Sequence, residues 1–224
     1  MAEFASKYIK DIDKLFDGGR LKVYPRNQLI HYGGDPLTYV YLVREGFLKA
    51  YTILDSGDTR TILILGPGDI FPLAFSSTMD WDSYKIQYFY QTLCEVKVQV
   101  LPSQSLRQQI DADSKKMAIY MTYLAASNEA IMTQLEVMKN KKAIDKVGML
   151  LPYLVSKAGK ETKPGVYKLE LKLSHQELAD LSGVTRETTT TLIKQLEKEG
   201  VIDQSRNHWV INLKRLGSVI SSGR

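Results

Sequence analysis

Arg186 and Glu187 stand side by side and are followed by four consecutive threonines, Thr188 to Thr191. Arginine can form a bidentate pair with guanine, and glutamate can accept a hydrogen bond from the amino group of cytosine. Threonine can bond a base or a phosphate, or place its methyl group against that of thymine. Four threonines in a row are a poor choice for helix propensity alone, which indicates a further requirement at these positions. The residue types predict a surface that reads base edges in DNA.

Two short helices joined by a tight turn must present this surface. Ser174 followed by Glu177 is a capping box, which predicts that a helix begins there. Gly183 permits the sharp turn that a helix-turn-helix needs between its two helices. Thr185 can then cap a second helix, which runs until Gly200 stops it.

The second helix has two distinct faces at 100° per residue. Leu192, Ile193 and Leu196 share one stripe, which we expect to face the core. The alternative is an ordinary amphipathic surface helix with an Arg–Glu pair in solvent. The opposite face carries the candidate DNA-reading residues Arg186, Glu187, Thr190, Thr191 and Lys194.

The run GVTRETTTTLIKQLEKEGVI resembles the recognition helix of the Crp/Fnr transcription regulators, whose commonest form there is Ser/Thr-Arg-Glu-Thr-Val before a leucine-rich stretch. The resemblance extends over nearly the whole chain and implies an α+β fold. That fold has an N-terminal cyclic-nucleotide-binding-like β jelly-roll, a long dimerisation helix and a C-terminal winged helix-turn-helix. Many members carry a second arginine five residues after the first. Thr191 stands there instead, so the half-site should depart from the commonest family operator.

Charge is distributed unevenly between the two ends of the chain. Residues 139–224 contain 16 Lys and Arg against 9 Asp and Glu, a net charge of +7. The other 138 residues contain 14 against 16, a net charge of −2. Basic charge therefore accompanies the helix-turn-helix, as a phosphate-binding domain requires. We predict a sensor domain over residues 1–113, a dimerisation helix and hinge over 114–142, and a DNA-binding domain over 143–224.

Several short strands separated by turns are predicted before the long helix. Residues 39–43, 47–54 and 61–65 are strand-like, and Gly-rich turns lie between them at roughly ten-residue spacing. This pattern favours a β-sandwich or barrel. The sequence VYLVREGFLKAY, followed by GPGDIF, resembles the jelly-roll of cyclic-nucleotide-binding domains.

The helical segment over residues 114–142 carries apolar residues in alternating steps of four and three, which is typical of a coiled-coil seam. Asn128 occupies an a position if Leu124 is d, and a single buried Asn there favours a parallel, in-register pair. The alternative is that this helix packs only against its own barrel, with Asn128 at the edge. We predict a homodimer whose interface contains Met117, Met121, Leu124, Asn128, Ile131, Leu135 and Met138.

The predicted sensor lacks the residues with which cyclic-AMP-binding members of the family hold their ligand. The resemblance places Pro72-Leu73 where a Gly-Glu pair belongs and Tyr84-Lys85 where Arg-Ser or Arg-Thr belongs. Losing the glutamate would leave a ribose hydroxyl without its acceptor, at a cost of about 1–3 kcal/mol. Lys85 would replace a bidentate phosphate contact only as a point charge. We therefore expect no tight binding of cyclic AMP or cyclic GMP.

The effector, if there is one, is left open. Aromatic residues between positions 71 and 90 suit an apolar or planar ligand, although such clusters more often only fill a core.

Haem with His31 as an axial ligand carries little weight, because a histidine beside a Gly-Gly turn usually lies on the surface. The single cysteine, Cys94, excludes a cysteine-ligated iron–sulfur cluster and is interpreted as core. No metal ligand set is predicted. The candidate effector-pocket residues are Phe71, Leu73, Tyr84 and Lys85.

The predicted function is sequence-specific DNA binding by a homodimeric transcription regulator. We expect the protein in the cytoplasm, with no membrane partner. RNA polymerase is a further partner if the protein activates transcription. Residues 201–202 and 209–211 form two strands of a wing, with Arg206 and His208 near its tip, within reach of phosphate. Ser174 and Thr185 can contact phosphate through helix N-termini. The alternative is a ligand-sensing module that acts through a protein partner. An enzyme is the weakest hypothesis, because no nucleophile–base constellation is present.

Overall fold

The structure is a computed structural model, which describes residues 11–72, 85–139, 141–204 and 208–221. The chain divides into two compact units. One comprises Met1–Asp58 and Ile62–Ile131, and the other comprises Thr59–Thr61 and Met132–Arg224. Among the helices in the described ranges, none is long and apolar enough to cross a membrane.

Eight strands form the two four-stranded sheets of a β jelly-roll, which confirms the predicted fold. The first sheet contains, in spatial order, Arg20–Tyr24 (β1), Val96–Pro102 (β8), Tyr39–Glu45 (β3) and Ile70–Phe71 (β6). The second contains, in spatial order, Leu29–His31 (β2), Phe89–Thr92 (β7), Leu48–Ile53 (β4) and Thr59–Leu65 (β5).

Side chains from both sheets meet in an aromatic core. Ala50 of β4 is paired with Tyr90 of β7, so these two side chains point to the same, inner face. The Phe71 ring stacks on Tyr41 of β3 at 4.7 Å between centroids and on Tyr90 at 5.4 Å. All four residues are buried, so the aromatic rings fill the space between the two sheets.

Two helices cover the outer face of the first sheet. Ser103–Ala112 (α1) contributes buried apolar residues to a second core cluster, and Ser114–Lys139 (α2) contributes Tyr120 and Tyr123. The Tyr123 hydroxyl accepts a hydrogen bond from the Ile70 N–H at 2.8 Å and donates one to the Ile70 carbonyl at 3.0 Å. This buried pair of bonds fixes α2 to β6 and so sets which face of the helix points outward.

The second unit is a winged helix-turn-helix. Its four-stranded sheet has the spatial order Ile202–Asp203 (β11), Val210–Asn212 (β12), Val166–Leu169 (β10) and Gly159–Lys163 (β9). Its helices are Ala143–Ala158 (α3), His175–Ser182 (α4), Arg186–Lys198 (α5) and Leu213–Ser221 (α6).

The helix α3 runs through a proline. Pro152 lies in its interior and is exposed, and the helix continues to Ala158. The N-cap is Lys142, without a side-chain cap bond. Asp145 lies in the first turn, where a negative charge is favourable to the helix dipole.

Candidate nucleic-acid interface

The helix α4 begins at a complete capping box. The Ser174 hydroxyl accepts a hydrogen bond from the Glu177 N–H at 3.2 Å, and the Glu177 carboxylate accepts one from the Ser174 N–H at 2.6 Å. Two backbone donors that would otherwise lack helical partners are thereby satisfied. The predicted helix start is confirmed, and Ser174 lies exposed at a helix N-terminus that can face an anion.

The turn between α4 and α5 depends on a glycine in the left-handed region. Gly183 has φ of +64°, and its N–H donates to the Ala179 carbonyl at 2.9 Å. A residue with a Cβ would be strained there. Thr185 follows as the N-cap of α5, because its hydroxyl accepts from the Thr188 N–H at 3.3 Å. The chain therefore enters α5 in the way that the sequence predicts.

The helix α5 is anchored by one face and exposed on the other. Ile193 and Leu196 are buried in the core of the unit, while Leu192 is half-buried. Of the predicted DNA-reading residues, four are exposed and Thr190 is half-buried. The four exposed side chains are Arg186, Glu187, Thr191 and Lys194.

The first turn of α5 has the chemistry needed to read bases. Arg186 and Glu187 are its first two residues, so a guanidinium donor and a carboxylate acceptor stand together at the end of the helix that enters a groove first. The hydroxyls of Thr190 and Thr191 donate to the carbonyls of Arg186 and Glu187 at 2.9 and 3.1 Å. Both threonines therefore use their hydroxyl protons within the helix.

The wing has the predicted hairpin. Ile202 pairs with Ile211 and Asp203 with Val210 in an antiparallel register. His208 is exposed beside β12. The predicted phosphate contact Arg206 is outside the described residues.

His175 belongs to the interface although it is not among the residues predicted from the sequence. The His175 Nδ1 lies 3.0 Å from the Thr190 Oγ1, and its Nε2 lies 3.3 Å from the Gln204 side-chain nitrogen. The imidazole also meets the Trp209 ring edge-on, with centroids 6.4 Å apart. Its place directly after the N-cap Ser174 was a signal that this side chain lies near the recognition helix.

Comparison with known proteins gives the same architecture in the same order. Residues 21–113 match the cyclic nucleotide-binding domain, and residues 146–219 match the Crp-like helix-turn-helix domain. The anaerobic regulatory protein of Pasteurella multocida is 23% identical over 198 residues, covering 86% of this chain and 68% of that protein. The global nitrogen regulator of Nostoc sp. is 23% identical over 184 residues, covering 81% and 80%. The chain belongs to the Crp/Fnr family of transcription regulators.

The fold of this Crp/Fnr regulator is shared with solved structures. The structure of FixK2 from Bradyrhizobium japonicum superposes with a TM-score of 0.75 at 20% identity, covering 89% of this chain and 96% of that one. The family consists of transcription regulators rather than enzymes, and its Crp-like helix-turn-helix binds DNA. The comparisons therefore support a DNA-binding regulator.

The predicted seam on α2 forms an exposed apolar stripe on the Crp/Fnr regulator. Met117, Met121 and Leu135 are 38%, 56% and 47% exposed. The neighbouring face of the same helix is buried against the jelly-roll through Tyr120 and Tyr123. Packing against its own barrel therefore does not account for these three side chains, although Leu124 does pack against the barrel core. Of the other predicted seam residues, Asn128 is exposed, Leu124 and Ile131 are half-buried, and the Met138 side chain lies outside the described residues.

The candidate effector-pocket residues have different environments. Phe71 is fully buried in the stack with Tyr41 and Tyr90, as core filling requires. Lys85 is exposed and forms an isolated β-bridge with Pro36. Leu73 and Tyr84 lie outside the described residues.

The expectation that His31 lies on the surface is wrong. The residue is 7% exposed, and its ring meets Tyr41 edge-on at 5.2 Å between centroids. Burial lowers the pKa of His31, and the Asp35 carboxylate, 3.8 Å from the Nδ1, opposes this shift. The sequence rule failed because the residues that bury His31 come from β3 and β7, not from the adjacent Gly-Gly turn.

The surroundings of Cys94 favour an unreactive thiol. The residue is half-buried in a bend between β7 and β8, not in a strand, and its sulfur accepts a hydrogen bond from the Phe47 N–H at 3.2 Å. Burial raises the pKa of the Cys94 thiol, which keeps it in the less reactive protonated form.

Proposed function

We propose that this regulator acts in the cytoplasm as a homodimer that binds a palindromic operator, without control by cyclic AMP. The observation that carries the proposal is α5, which is capped by Thr185, anchored by Ile193 and Leu196, and exposed at Arg186 and Glu187. A rigid helix with exposed donor and acceptor groups in its first turn suits the major groove.

The residues around the first turn divide between base reading and positioning. Arg186 pairs with a guanine and Glu187 accepts from a cytosine amino group. Lys194, about two turns further along the helix, contacts phosphate. The N-termini of α4 and α5, at Ser174 and Thr185, contact phosphate through backbone N–H groups. Arg206, which the sequence predicts near the wing tip, is proposed as a further phosphate contact.

The homodimer forms along α2. Two copies of the exposed stripe bury their apolar side chains against each other, and the Asn128 pair holds the helices parallel and in register. Two α5 helices are then presented together, as reading two half-sites one DNA turn apart requires. Two features support the dimer: the exposed stripe needs an apolar partner, and each chain supplies one α5 helix for two half-sites.

The jelly-roll is proposed to bind no cyclic nucleotide, and neither a metal nor an iron–sulfur cluster is assigned to it. Pro72 is buried where the family's cyclic-AMP-binding members have glycine, and Lys85 is exposed in a β-bridge where they have serine or threonine after arginine.

The effector and the direction of regulation stay open. RNA polymerase is a partner if the protein activates. The competing function, a sensor that acts through a protein partner, predicts no sequence preference for DNA.

Two alanine variants of α5 test the proposed roles. Arg186→Ala should lose about 1–3 kcal/mol of operator binding and relax the preference at one base position. Lys194→Ala is the matched control on the same helix, and it should weaken binding to all sequences similarly and reduce the salt dependence. Selection of sites by each variant measures both effects. An unchanged motif for Arg186→Ala would show that the helix is oriented differently.

A further inference from the structure

The imidazole of His175 links three elements that lie at the proposed DNA surface. It belongs to the first turn of α4, approaches Thr190 in the middle of α5, and approaches Gln204 at the base of the wing. Its edge against Trp209 fixes the plane of the ring. A single side chain therefore holds the recognition helix, the helix before it and the wing together.

The hydrogen-bond partners assign the proton on this imidazole. The Thr190 hydroxyl has one proton, which it donates to the Arg186 carbonyl at 2.9 Å. With that proton on the carbonyl, the Thr190 oxygen is left to accept from His175, and this arrangement places a proton on Nδ1. In the neutral ring Nε2 is then an acceptor, and the Gln204 amide group stands 3.3 Å away as a donor. All three contacts are satisfied in this arrangement.

The second partner determines the rotamer of Thr190. A threonine in a helix divides its population between two χ1 rotamers, because its hydroxyl can bond the carbonyl of the preceding turn in one of them. His175 stabilises one rotamer by bonding the same oxygen from the other side. Thr191 provides a comparison on the same helix. Its hydroxyl also donates to the preceding turn, at Glu187, but the described residues supply no imidazole to it.

We propose that His175 is a positioning residue that commits the Thr190 hydroxyl to the protein and leaves the Thr190 methyl group to read the 5-methyl group of thymine in the operator. The inference rests on the proposed binding of α5 in the major groove, where thymine presents this methyl group. Threonine could read a base through its hydroxyl or through its methyl group. The His175 contact favours the methyl group, since a hydroxyl that already has two protein partners is a poor reader of base edges.

Replacement of thymine by deoxyuridine in the selected operator tests the methyl contact directly. The change deletes one methyl group and leaves every hydrogen-bonding group of the base in place. For the unaltered protein we expect one thymine in each half-site at which the replacement weakens binding about fourfold, the value of one buried carbon. The measurement uses the full chain and compares dissociation constants at one salt concentration.

Two substitutions of Thr190 separate its methyl group from its hydroxyl. Thr190→Val keeps a methyl group and should retain the penalty for deoxyuridine, whereas Thr190→Ser keeps the hydroxyl and should lose it. Thr190→Ser with an undiminished penalty would assign the methyl contact to another residue and overturn the proposal.

Two substitutions of His175 test its positioning role. His175→Ala should reduce the deoxyuridine penalty to less than twofold, because Thr190 regains both rotamers. His175→Asn places an amide donor near the Nδ1 position and should restore the penalty. A merely structural loss in His175→Ala would weaken binding to all DNA equally and leave the thymine-to-uracil ratio unchanged, which would overturn the positioning role.

The outcomes distinguish this inference from the proposed function. A palindromic motif in which deoxyuridine has no effect at any thymine would overturn the inference and leave the operator binding intact. Failure of the unaltered protein to select any motif would overturn the reading of DNA by α5, and the inference would fall with it.

Discussion

The dimer interface on α2 gives a prediction whose magnitude follows from the exposure of its side chains. Met121 and Leu135 are 56% and 47% exposed in the single chain. Complete burial of a methionine or leucine side chain is worth about 1.5–3 kcal/mol, so roughly half of that, about 1 kcal/mol each, is gained when the seam closes. The double variant Met121→Ala, Leu135→Ala removes four such side chains from a symmetric dimer.

The expected loss is therefore about 4 kcal/mol of dimerisation free energy, which raises the dimer dissociation constant about a thousandfold. Each separate chain should lose no more than about 2 kcal/mol of folding stability, because only about half of each side chain is buried within it. Sedimentation equilibrium over a range of concentrations measures the dissociation constant. Ile53→Ala is the matched control, because Ile53 is 48% exposed but lies on β4.

A dissociation constant that moves no further for the double variant than for Ile53→Ala would refute the assignment of the seam. Operator binding supplies a second test, since a monomer presents only one recognition helix. The double variant should bind a full palindrome with the affinity of a single half-site at concentrations below its new dissociation constant.

Three further predictions concern Thr189, His31 and the jelly-roll. Thr189→Val should raise the free energy of unfolding by about 1 kcal/mol in urea denaturation, because the buried Thr189 hydroxyl finds no hydrogen-bond partner among the described residues; a lower value would refute this. Since burial lowers the pKa of His31, the unfolded chain binds its proton more readily, so stability should fall as the pH drops below about 6.5. His31→Gln should flatten that slope, and an unchanged slope would contradict the assignment. Calorimetry with cyclic AMP should show no binding at micromolar concentrations, and micromolar or tighter affinity would contradict the proposal for the jelly-roll.

Features decided by neighbours in the chain could be predicted from the sequence. Ser174 and Glu177 lie three residues apart, so the capping box depends on little beyond its own helix turn. Gly183 in the left-handed region is a local requirement of the same kind. The alternation of short apolar strands likewise predicts two sheets, because period-two burial is a property of each strand.

Features decided by distant contacts could not be predicted in this way. His31 is buried by rings from other strands, and the link from His175 to Gln204 spans 29 residues of sequence. The β9–β10 hairpin was missed for a different reason. Its first strand is largely charged and exposed, so only the Pro164-Gly165 dipeptide signals the turn.

The measurement that tests the central claim most directly is selection of binding sites from a random DNA pool by the purified, ligand-free protein. A homodimer that reads DNA through α5 predicts a palindromic motif with half-sites about 10 base pairs apart. Enrichment should depend on Arg186. Weak, strongly salt-dependent binding without a motif would reflect phosphate attraction alone and would contradict the account.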